Sequence, residues 1–516
     1  MGGDTKVDGP ELDKGVVLTE ILSRGMIQGR VGDSPVLLIC RGDKFFAVGA
    51  FCCHYGAPLI DGAVHGNEIR CPWHHASFDL ATGEATRAPS LNSISAWTVE
   101  VRNGKVFVTS QKPAATHEVT SAAVPDNVII VGAGAAGSAA AEMLRRRGFQ
   151  NQVVLLGAEP HLPYDRPNLS KDYLNGNAPE EWIPLRNADF YRDQNIEIRT
   201  NARVVELSPK ARTLTLATGE TLSFAKCLLA MGAEPRLLTI PGATLPHVRY
   251  LRSLDDSRAL IAHAGKAKKA VVVGSGFIGL ETAASLKMRG LDVTILSNEE
   301  LPLARILGKE LGRYIADLYQ TKGITFIANA NMTSIDEQRV YLGNGTTLAA
   351  DLVVAGIGVK PILDLAQKAD LLYGGQLVVD EFLETLSPGI YAAGDIASVP
   401  DWRTGEKMRI EHWATAQRQG QVAALNMLGE KTPHRIVPFF WSQHFDTTLA
   451  HVGHASSWDQ CIVDGSLSDS DATVAYLRDG NILALLTIGR DKISLAAEDA
   501  MERNDQGALK RLARIG

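Results

Sequence analysis

A glycine-rich loop between an apolar strand and a helix is the feature that most constrains how this chain can fold. The apolar run 128–131 is followed by Gly132, Gly134 and Gly137, and a second apolar run ends just before Glu159. Glycines in this G-x-G-x-x-G spacing let the backbone turn tightly and approach a pyrophosphate, which the N–H groups of the following helix bind. An acid about twenty residues further on accepts hydrogen bonds from ribose hydroxyls. The stretch therefore predicts a parallel α/β dinucleotide-binding domain.

A second strand–glycine–helix unit follows further along the chain. Its glycines come after the apolar run 270–273 and are Gly274, Gly276 and Gly279. Two such units predict two nucleotides, and their order indicates that the second domain is inserted into the first.

The residues after the next strand of the second unit bear on which pyridine nucleotide is used. Ser297 stands where an NADH enzyme usually has an acid, and Glu299 and Glu300 follow it closely. Because these acids would repel a 2′-phosphate, the sequence favours NADH over NADPH. Arg305 is the residue that could reverse this preference, since a 2′-phosphate is bound by arginine.

Residues 16–109 alternate short apolar runs with turns and predict a β-module, with a hairpin at Asn103-Gly104. Two loops of this module carry the pattern C-x-H, sixteen residues, then C-x-x-H. The four candidate metal ligands are Cys52, His54, Cys71 and His74. Two thiolates on one iron and two imidazoles on the other are the ligands of a Rieske [2Fe–2S] centre. Structural zinc uses the same residue types, although its first two ligands are usually further apart.

The residues around these ligands resemble the Rieske family. The words His-Tyr-Gly-Ala-Pro-Leu after Cys53 and Cys-Pro-Trp-His from Cys71 are similar to the family's two ligand loops, which favours iron over zinc. Two residues depart from the family pattern. Cys53 replaces a small residue and is expected to be a buried apolar thiol, while His75 replaces a glycine and is expected to strain the loop. Neither is expected to be a ligand.

The Pro- and Arg-containing run 161–171 extends the resemblance to the rest of the chain. It is similar to FAD-dependent reductases of the ferredoxin-reductase and apoptosis-inducing-factor type, and the match to members with a fused N-terminal Rieske domain covers nearly the whole chain. The resemblance implies that Lys171 pairs with Glu281 beside the reactive nitrogen of the flavin, where the pair positions the nicotinamide and balances charge. It also implies that Gly358 lies beside the pyridine nucleotide. The remaining residues that it places at FAD are Arg166, Val204, Ala230, Gly232, Arg252, Asp395, Trp413 and Trp441.

These observations predict a multidomain protein. The expected fold is an all-β Rieske domain, a glutathione-reductase-like α/β flavoprotein with two dinucleotide-binding domains, and a C-terminal α+β domain. The expected boundaries are 1–110 for the Rieske domain, 111–125 for a linker, 126–252 and 374–431 for the FAD domain, 253–373 for the NAD(P)H domain, and 432–516 for the C-terminal domain.

Composition and missing motifs exclude several functions. A net charge of −6 gives no reason to expect nucleic-acid or membrane binding, and no apolar run is long enough to span a bilayer. Residues 1–6 lack a secretory signal, and six cysteines are too few for a disulfide framework, so a cytoplasmic enzyme is expected. The flavin region has no Cys-x-x-Cys pair, which excludes a disulfide reductase.

The predicted function is a reductase that passes electrons from NADH through FAD to its own cluster and on to an external acceptor, such as an oxygenase or a cytochrome. The fusion would replace a diffusional encounter by a tethered one at high effective concentration. An NADH oxidase and a redox-signalling or interaction protein are the alternatives.

Overall fold

The computed structural model describes residues 9–119 and 124–515 of the 516-residue chain. An all-β N-terminal module precedes two parallel sheets flanked by helices, and an antiparallel sheet with two helices ends the chain. The predicted fold class is confirmed. The expectation for residues 1–6 and part of the expected linker, residues 120–123, lie outside the described residues, and the domain boundaries remain a prediction.

The N-terminal module contains two antiparallel sheets. The larger has the strand order Val16–Val17, Lys105–Gln111, Ala96–Arg102, Lys44–Gly49, Ser34–Arg41 and Met26–Val31. The smaller has the order Ala63–His65, Glu68–Arg70, Ser77–Asp79 and Ala85–Arg87. Asn103 (φ 49°) and Gly104 (φ 71°) close the predicted hairpin in the left-handed backbone conformation that such turns require. The short helix Leu18–Arg24 was not predicted.

The first parallel sheet has the strand order Ile196–Arg199, Gln152–Leu156, Asn127–Val131, Lys226–Leu229 and Ile390–Ala392. Four of its strands are mostly apolar and buried, as helix-covered parallel strands must be, whereas the edge strand Ile196–Arg199 carries two charged residues and is only partly buried. The helices Ala135–Arg146 and Trp413–Met427 cover one side. The edge strand Ile390–Ala392 follows all five strands of the second sheet in the chain. The segment that forms the second sheet is therefore inserted between strands of the first, as predicted.

The second parallel sheet repeats this architecture with the order Val248–Tyr250, Leu352–Ala355, Lys269–Val273, Asp292–Leu296 and Thr325–Ile327. Its helices are Leu254–Ala264, Phe277–Met288, Ala304–Leu307 and Lys309–Thr321, whereas the later helix Asp364–Lys368 packs into the core of the first sheet. Each parallel sheet is accompanied by a three-stranded meander, Val204–Ser208, Thr213–Leu216 and Thr221–Ser223 in the first case, and Met332–Ile335, Arg339–Leu342 and Thr347–Ala349 in the second. Smaller sheets pair Ala233–Pro235 with Val359–Pro361, and Ala397–Pro400 with Leu377–Val378 and Lys407–Met408. The short helices Asp172–Asn175 and Ala188–Asp193 lie in the FAD region.

The C-terminal sheet has the order Phe439–His444, Thr447–Gly453, Asn481–Ile488, Asp471–Arg478 and Gln460–Ser466, followed by the helices Asp491–Glu502 and Gln506–Leu512. Leu449, Val474 and Leu486 of this sheet belong to the same buried cluster as Leu280 and Leu311 from the helices of the second parallel sheet. The C-terminal sheet therefore shares a core with the second parallel sheet. Its first strand, Phe439–His444, contacts the helix Phe277–Met288 of the second sheet and the helix Trp413–Met427 of the first.

Candidate active site

The first glycine loop has the backbone geometry that its sequence predicts. Gly132 has φ +111°, and a side chain there would collide with the carbonyl of Ala230. A side chain at Gly137 would collide with the carbonyl of Gly132, so this glycine lets the helix pack against the turn. A Cβ at Gly134 would meet nothing within 4 Å. Gly134 is the N-cap of the helix Ala135–Arg146, and the open space beside it is where a phosphate would meet free N–H groups.

The second glycine loop repeats this arrangement. Gly274 has φ +107° and abuts the carbonyl of Gly356, and Gly279 abuts the carbonyl of Gly274. Gly276, the N-cap of the helix Phe277–Met288, again borders open space. The chain therefore holds two cradles for phosphate groups.

Both loops open into one cleft with a volume of about 1480 Å³. Sixteen of the eighteen residues predicted to bind cofactors line it: Gly132, Gly134, Glu159, Arg166, Lys171, Val204, Ala230, Gly232, Arg252, Gly274, Gly276, Glu281, Gly358, Asp395, Trp413 and Trp441. The other two, Gly137 and Gly279, lie behind the loops against backbone carbonyls. The residues present therefore fit two extended nucleotides in one cleft.

Glu159 lies at the end of the second strand of the first unit, as predicted. The Arg166 guanidinium and the Tyr164 hydroxyl both donate to its carboxylate. Burial opposes ionisation of Glu159, but the charge of Arg166 and these hydrogen bonds hold its pKa below the ordinary value. Arg166 also donates to the carbonyl of Arg252 (2.8 Å), whose guanidinium lies 3.1 Å from the carboxylate of Asp395. Four predicted FAD residues thus form one polar network along the cleft.

Lys171 and Glu281 form the pair that the resemblance implies. Lys171 Nζ lies 2.8 Å from Glu281 Oε2, and the glutamate side chain is 2% exposed. The Ser170 hydroxyl donates to the same oxygen (2.6 Å) and the Ser442 hydroxyl to the other (2.7 Å). Burial opposes ionisation of Glu281, but the Lys171 charge and these hydrogen bonds hold its pKa below the ordinary value. Glu281 is therefore an ionised carboxylate paired with Lys171 in the wall of the cleft.

The four candidate metal ligands come together in two pairs. The Nδ1 atoms of His54 and His74 lie 3.2 Å apart, and Cys52 and Cys71 are each 1% exposed. A hydrogen bond between the two thiols raises the pKa of Cys52 and lowers that of Cys71, which favours one thiolate. Burial lowers the pKa of His54 to about 4, so its imidazole is neutral, as a metal ligand must be. Within residues 9–119 and 124–515, no three His, Cys, Asp or Glu side chains converge on a single ion. Separate thiol and imidazole pairs fit two irons better than one zinc.

The two candidate ligand imidazoles, His54 and His74, lie next to the nucleotide cleft, and the side chain of Trp441 stands between them and the cleft. The rings of His74 and Trp441 lie 4.2 Å apart between centroids, and Trp441 also lines the cleft. Tyr55 stacks on His54 (4.0 Å), and its hydroxyl donates to the buried carboxylate of Asp165, next to Arg166. The metal-ligand loops therefore lie directly against the wall of the cleft.

A buried carboxylate, Glu498, joins the N-terminal module to the rest of the protein. It accepts from Arg418 Nη1 (2.6 Å) and lies 2.9 Å from His75 Nδ1, and it is 3.5 Å from the guanidinium nitrogens of Arg70 and Arg87. We call these five residues the Glu498 cluster. Burial opposes ionisation of Glu498, but the positive charges, Arg418 foremost, hold its pKa well below the ordinary value. The module is thus docked through buried charges rather than only tethered.

The structure shows the surroundings of three residues that the sequence analysis singled out. Cys53 was expected to be a buried apolar thiol, which is wrong: the residue is exposed, and its sulfur lies 2.9 Å from the Ser90 hydroxyl. His75 has φ 59°, the left-handed conformation that explains the usual glycine, and its ring nitrogens contact Glu498 and Ser494. Ser297, which stands where an acid is usual, is buried, and its hydroxyl lies 2.7 Å from that of Ser275.

Two glycine cradles in one cleft beside paired thiol and imidazole loops define a flavin- and pyridine-nucleotide-dependent oxidoreductase with its own iron–sulfur module. Family models agree: residues 16–100 match the Rieske [2Fe-2S] domain, 126–420 the pyridine nucleotide-disulphide oxidoreductase family, and 439–514 the reductase C-terminal domain. The chain belongs to the pyridine nucleotide-disulphide oxidoreductase family, in its ferredoxin-reductase form with a fused Rieske domain. The predicted cofactors FAD, NAD(P)H and a [2Fe–2S] cluster, and the predicted enzyme class, are confirmed.

Known proteins resemble the chain over most of its length. Apoptosis-inducing factor 3 of Homo sapiens is 33% identical, with 91% of this chain and 80% of that protein covered. Rhodocoxin reductase of Rhodococcus erythropolis is also 33% identical, with 72% and 88% covered. The crystal structure of the covalent putidaredoxin reductase–putidaredoxin complex superposes with a TM-score of 0.71 at 31% identity, with 74% of this chain and 94% of that chain covered.

Sequence reasoning missed the residues that connect the domains. The Glu498 cluster, Tyr55 and Ser442 are drawn from segments far apart in the chain, so no local pattern marks them. His75 alone gave a signal, because a bulky residue at a glycine position needs a specific environment.

In the part of the chain that the structure describes, no helix combines the length and the apolar character that crossing a bilayer requires.

Proposed function

We propose that this enzyme takes electrons from NADH and delivers them through its docked Rieske module to an external acceptor protein. The observation that carries the proposal is the position of Trp441, whose ring contacts the ligand His74 and lines the nucleotide cleft. When bound, FAD and the cluster supply hydride acceptance and single-electron transfer. The protein binds these groups and holds them next to one another.

The roles of individual residues are part of this proposal. Gly134 and Gly276 leave room for the phosphates of FAD and NADH, and Glu159 and Asp395 accept hydrogen bonds from hydroxyl groups of the flavin nucleotide. Lys171 holds a positive charge in the cleft and Glu281 fixes its position. Trp441 closes the cleft towards the module and excludes water between them.

A preference for NADH is supported by Glu299. This residue lines the cleft and lies 3.2 Å from Arg305, whose side chain is 82% exposed. While it is paired with Glu299, Arg305 has its charge compensated and would attract a 2′-phosphate only weakly.

The acceptor is proposed to be an oxygenase component, a cytochrome or a similar protein. Relatives named as reductases of oxygenase systems support this class, for example the 5,5'-dehydrodivanillate O-demethylase ferredoxin reductase subunit of Sphingobium, 35% identical with 70% of this chain covered. None of the six cysteines, all of which lie in the described residues, forms a disulfide, which supports the reducing cytoplasm as the compartment.

The test compares two acceptors in the Cys71→Ser variant. We expect NADH-dependent reduction of cytochrome c to be lost, because it needs the cluster, while ferricyanide reduction continues directly from the flavin. If cytochrome c is reduced at the parent rate by a variant shown to lack the cluster, the module is not on the electron path. Rapid reduction of oxygen by the parent enzyme would favour the NADH oxidase alternative.

A further inference from the structure

A chain of buried hydrogen bonds leads from Glu281 away from the cleft. Ser442 Oγ donates to Glu281 Oε1 (2.7 Å) and lies 3.1 Å from His444 Nε2. His444 Nδ1 lies 2.8 Å from the hydroxyl oxygen of Tyr319. These side chains come from three different elements, and none of the four residues is more than 3% exposed. Buried polar groups of this kind need a donor matched to every acceptor.

The direction of each hydrogen bond follows from counting protons. The single proton of the Ser442 hydroxyl is given to Glu281, so Ser442 Oγ must accept from His444 Nε2–H. Burial lowers the pKa of His444 to about 4, so the ring is neutral and carries one N–H only. His444 Nδ1 is therefore an acceptor, and Tyr319 donates its hydroxyl proton to it. All donors along the chain point towards Glu281.

The far end of the chain is closed to solvent. Tyr319 is 1% exposed, and its ring packs against Phe445. No proton can enter from water at this end, which argues against a proton relay. The arrangement instead fixes hydrogen positions, as a fully satisfied polar network does.

We propose that Tyr319 and His444 are positioning residues that hold the Ser442 hydroxyl on Glu281 and thereby keep Lys171 in place in the cleft. The inference rests on the role given to the Lys171–Glu281 pair under the proposed function. Without the Tyr319 hydroxyl, His444 is free to move its proton to Nδ1. Ser442 can then turn its own proton to Nε2, and Glu281 loses a donor.

The experiment uses the holoenzyme with Tyr319→Phe and Ser442→Ala, and with Lys171→Met for comparison. Tyr191→Phe is the matched control, because Tyr191 is an equally buried tyrosine on the helix Ala188–Asp193, outside this chain of hydrogen bonds. Three quantities are measured: the flavin reduction potential, the single-turnover rate constant for flavin reduction by NADH, and the dissociation constant for NADH. Flavin content shows whether each variant is folded.

We expect Tyr319→Phe and Ser442→Ala to slow flavin reduction by about tenfold, the effect of one lost hydrogen bond to a charged group. The reduction potential should shift in the same direction as in Lys171→Met, with NADH affinity unchanged. Tyr191→Phe should match the parent in all three measurements.

The possible failures can be told apart. If Lys171→Met changes rate and potential while Tyr319→Phe and Ser442→Ala match the control, the inference is overturned and the proposed function stands. An effect of Ser442→Ala alone also overturns it, because Tyr319 would then not set the direction of the chain. If Lys171→Met has no effect either, the role proposed for the Lys171–Glu281 pair is wrong, and the inference falls with it.

Discussion

Replacing Glu498 by glutamine should weaken the docking of the N-terminal module. The amide keeps the shape of the side chain but removes the charge, which leaves Arg418, 3% exposed, without its carboxylate partner. Breaking a buried ion pair by removing one partner costs about 3–5 kcal/mol. We expect a loss near the lower end, about 3 kcal/mol, because Arg70 and Arg87 also contact Glu502. Arg418 in addition keeps two backbone carbonyl partners.

The assay is urea-induced unfolding followed through the visible absorbance of the cluster. Glu430→Gln is the control, because its ion pair with Arg147 is partly exposed and should contribute less than about 1 kcal/mol. The double variant Glu498→Gln with Arg418→Met should recover much of the loss, since it removes the unpaired buried charge. If Glu498→Gln behaves like the control, or the double variant is no more stable than the single one, the account of docking by buried charge is wrong.

The pH dependence provides a second measurement on the same variant. Because the folded-state pKa of Glu498 lies well below its ordinary value of 4.5, its contribution to stability is present above that value and is lost as the pH falls. The difference in free energy of unfolding between the parent and Glu498→Gln should therefore be constant above about pH 5 and narrow as the pH falls below about 4.5. A constant difference would contradict the ionised state assigned to Glu498.

Two further predictions concern the cleft. Gly134→Val should fold but bind FAD about tenfold or more weakly, because its side chain would fill the open cradle. Gly137→Val should not fold, because its side chain would collide with the carbonyl of Gly132. Flavin absorbance after reconstitution measures both, and equal flavin yields for the two variants would contradict this prediction. Glu299→Gln should lower the KM for NADPH by about threefold, because Arg305 loses its partner, with little change for NADH; steady-state kinetics with both nucleotides measure this, and an unchanged ratio would remove Glu299 from the account of specificity.

The parts of the site that could be predicted from the sequence are those made of contiguous residues. Each glycine loop carries its strand, turn and helix within one short stretch, so its backbone conformation is a local property. The two metal-ligand loops are similarly compact, and their residue types specify the chemistry. Resemblance brought Lys171 and Glu281 together, although the residues are far apart in the chain.

The docking of the module could not be predicted in this way. Glu498 lies on a helix near the C-terminus, and its partners Arg70, Arg87 and Arg418 belong to three distant segments. Charged residues of this kind are usually solvated, and only tertiary packing shows that these are buried. Cys53 was misjudged for a related reason, because its contact with Ser90 depends on how a distant loop folds back.

The buried contact between the module and the reductase has a consequence for how the enzyme responds to dilution. Two separate proteins must collide before an electron can pass between them, so their exchange slows as both become scarce. Here the collision has been replaced by an arrangement completed when the polypeptide folds. The internal transfer should therefore proceed at the same pace per molecule at any concentration, and only the meeting with the final acceptor should depend on abundance.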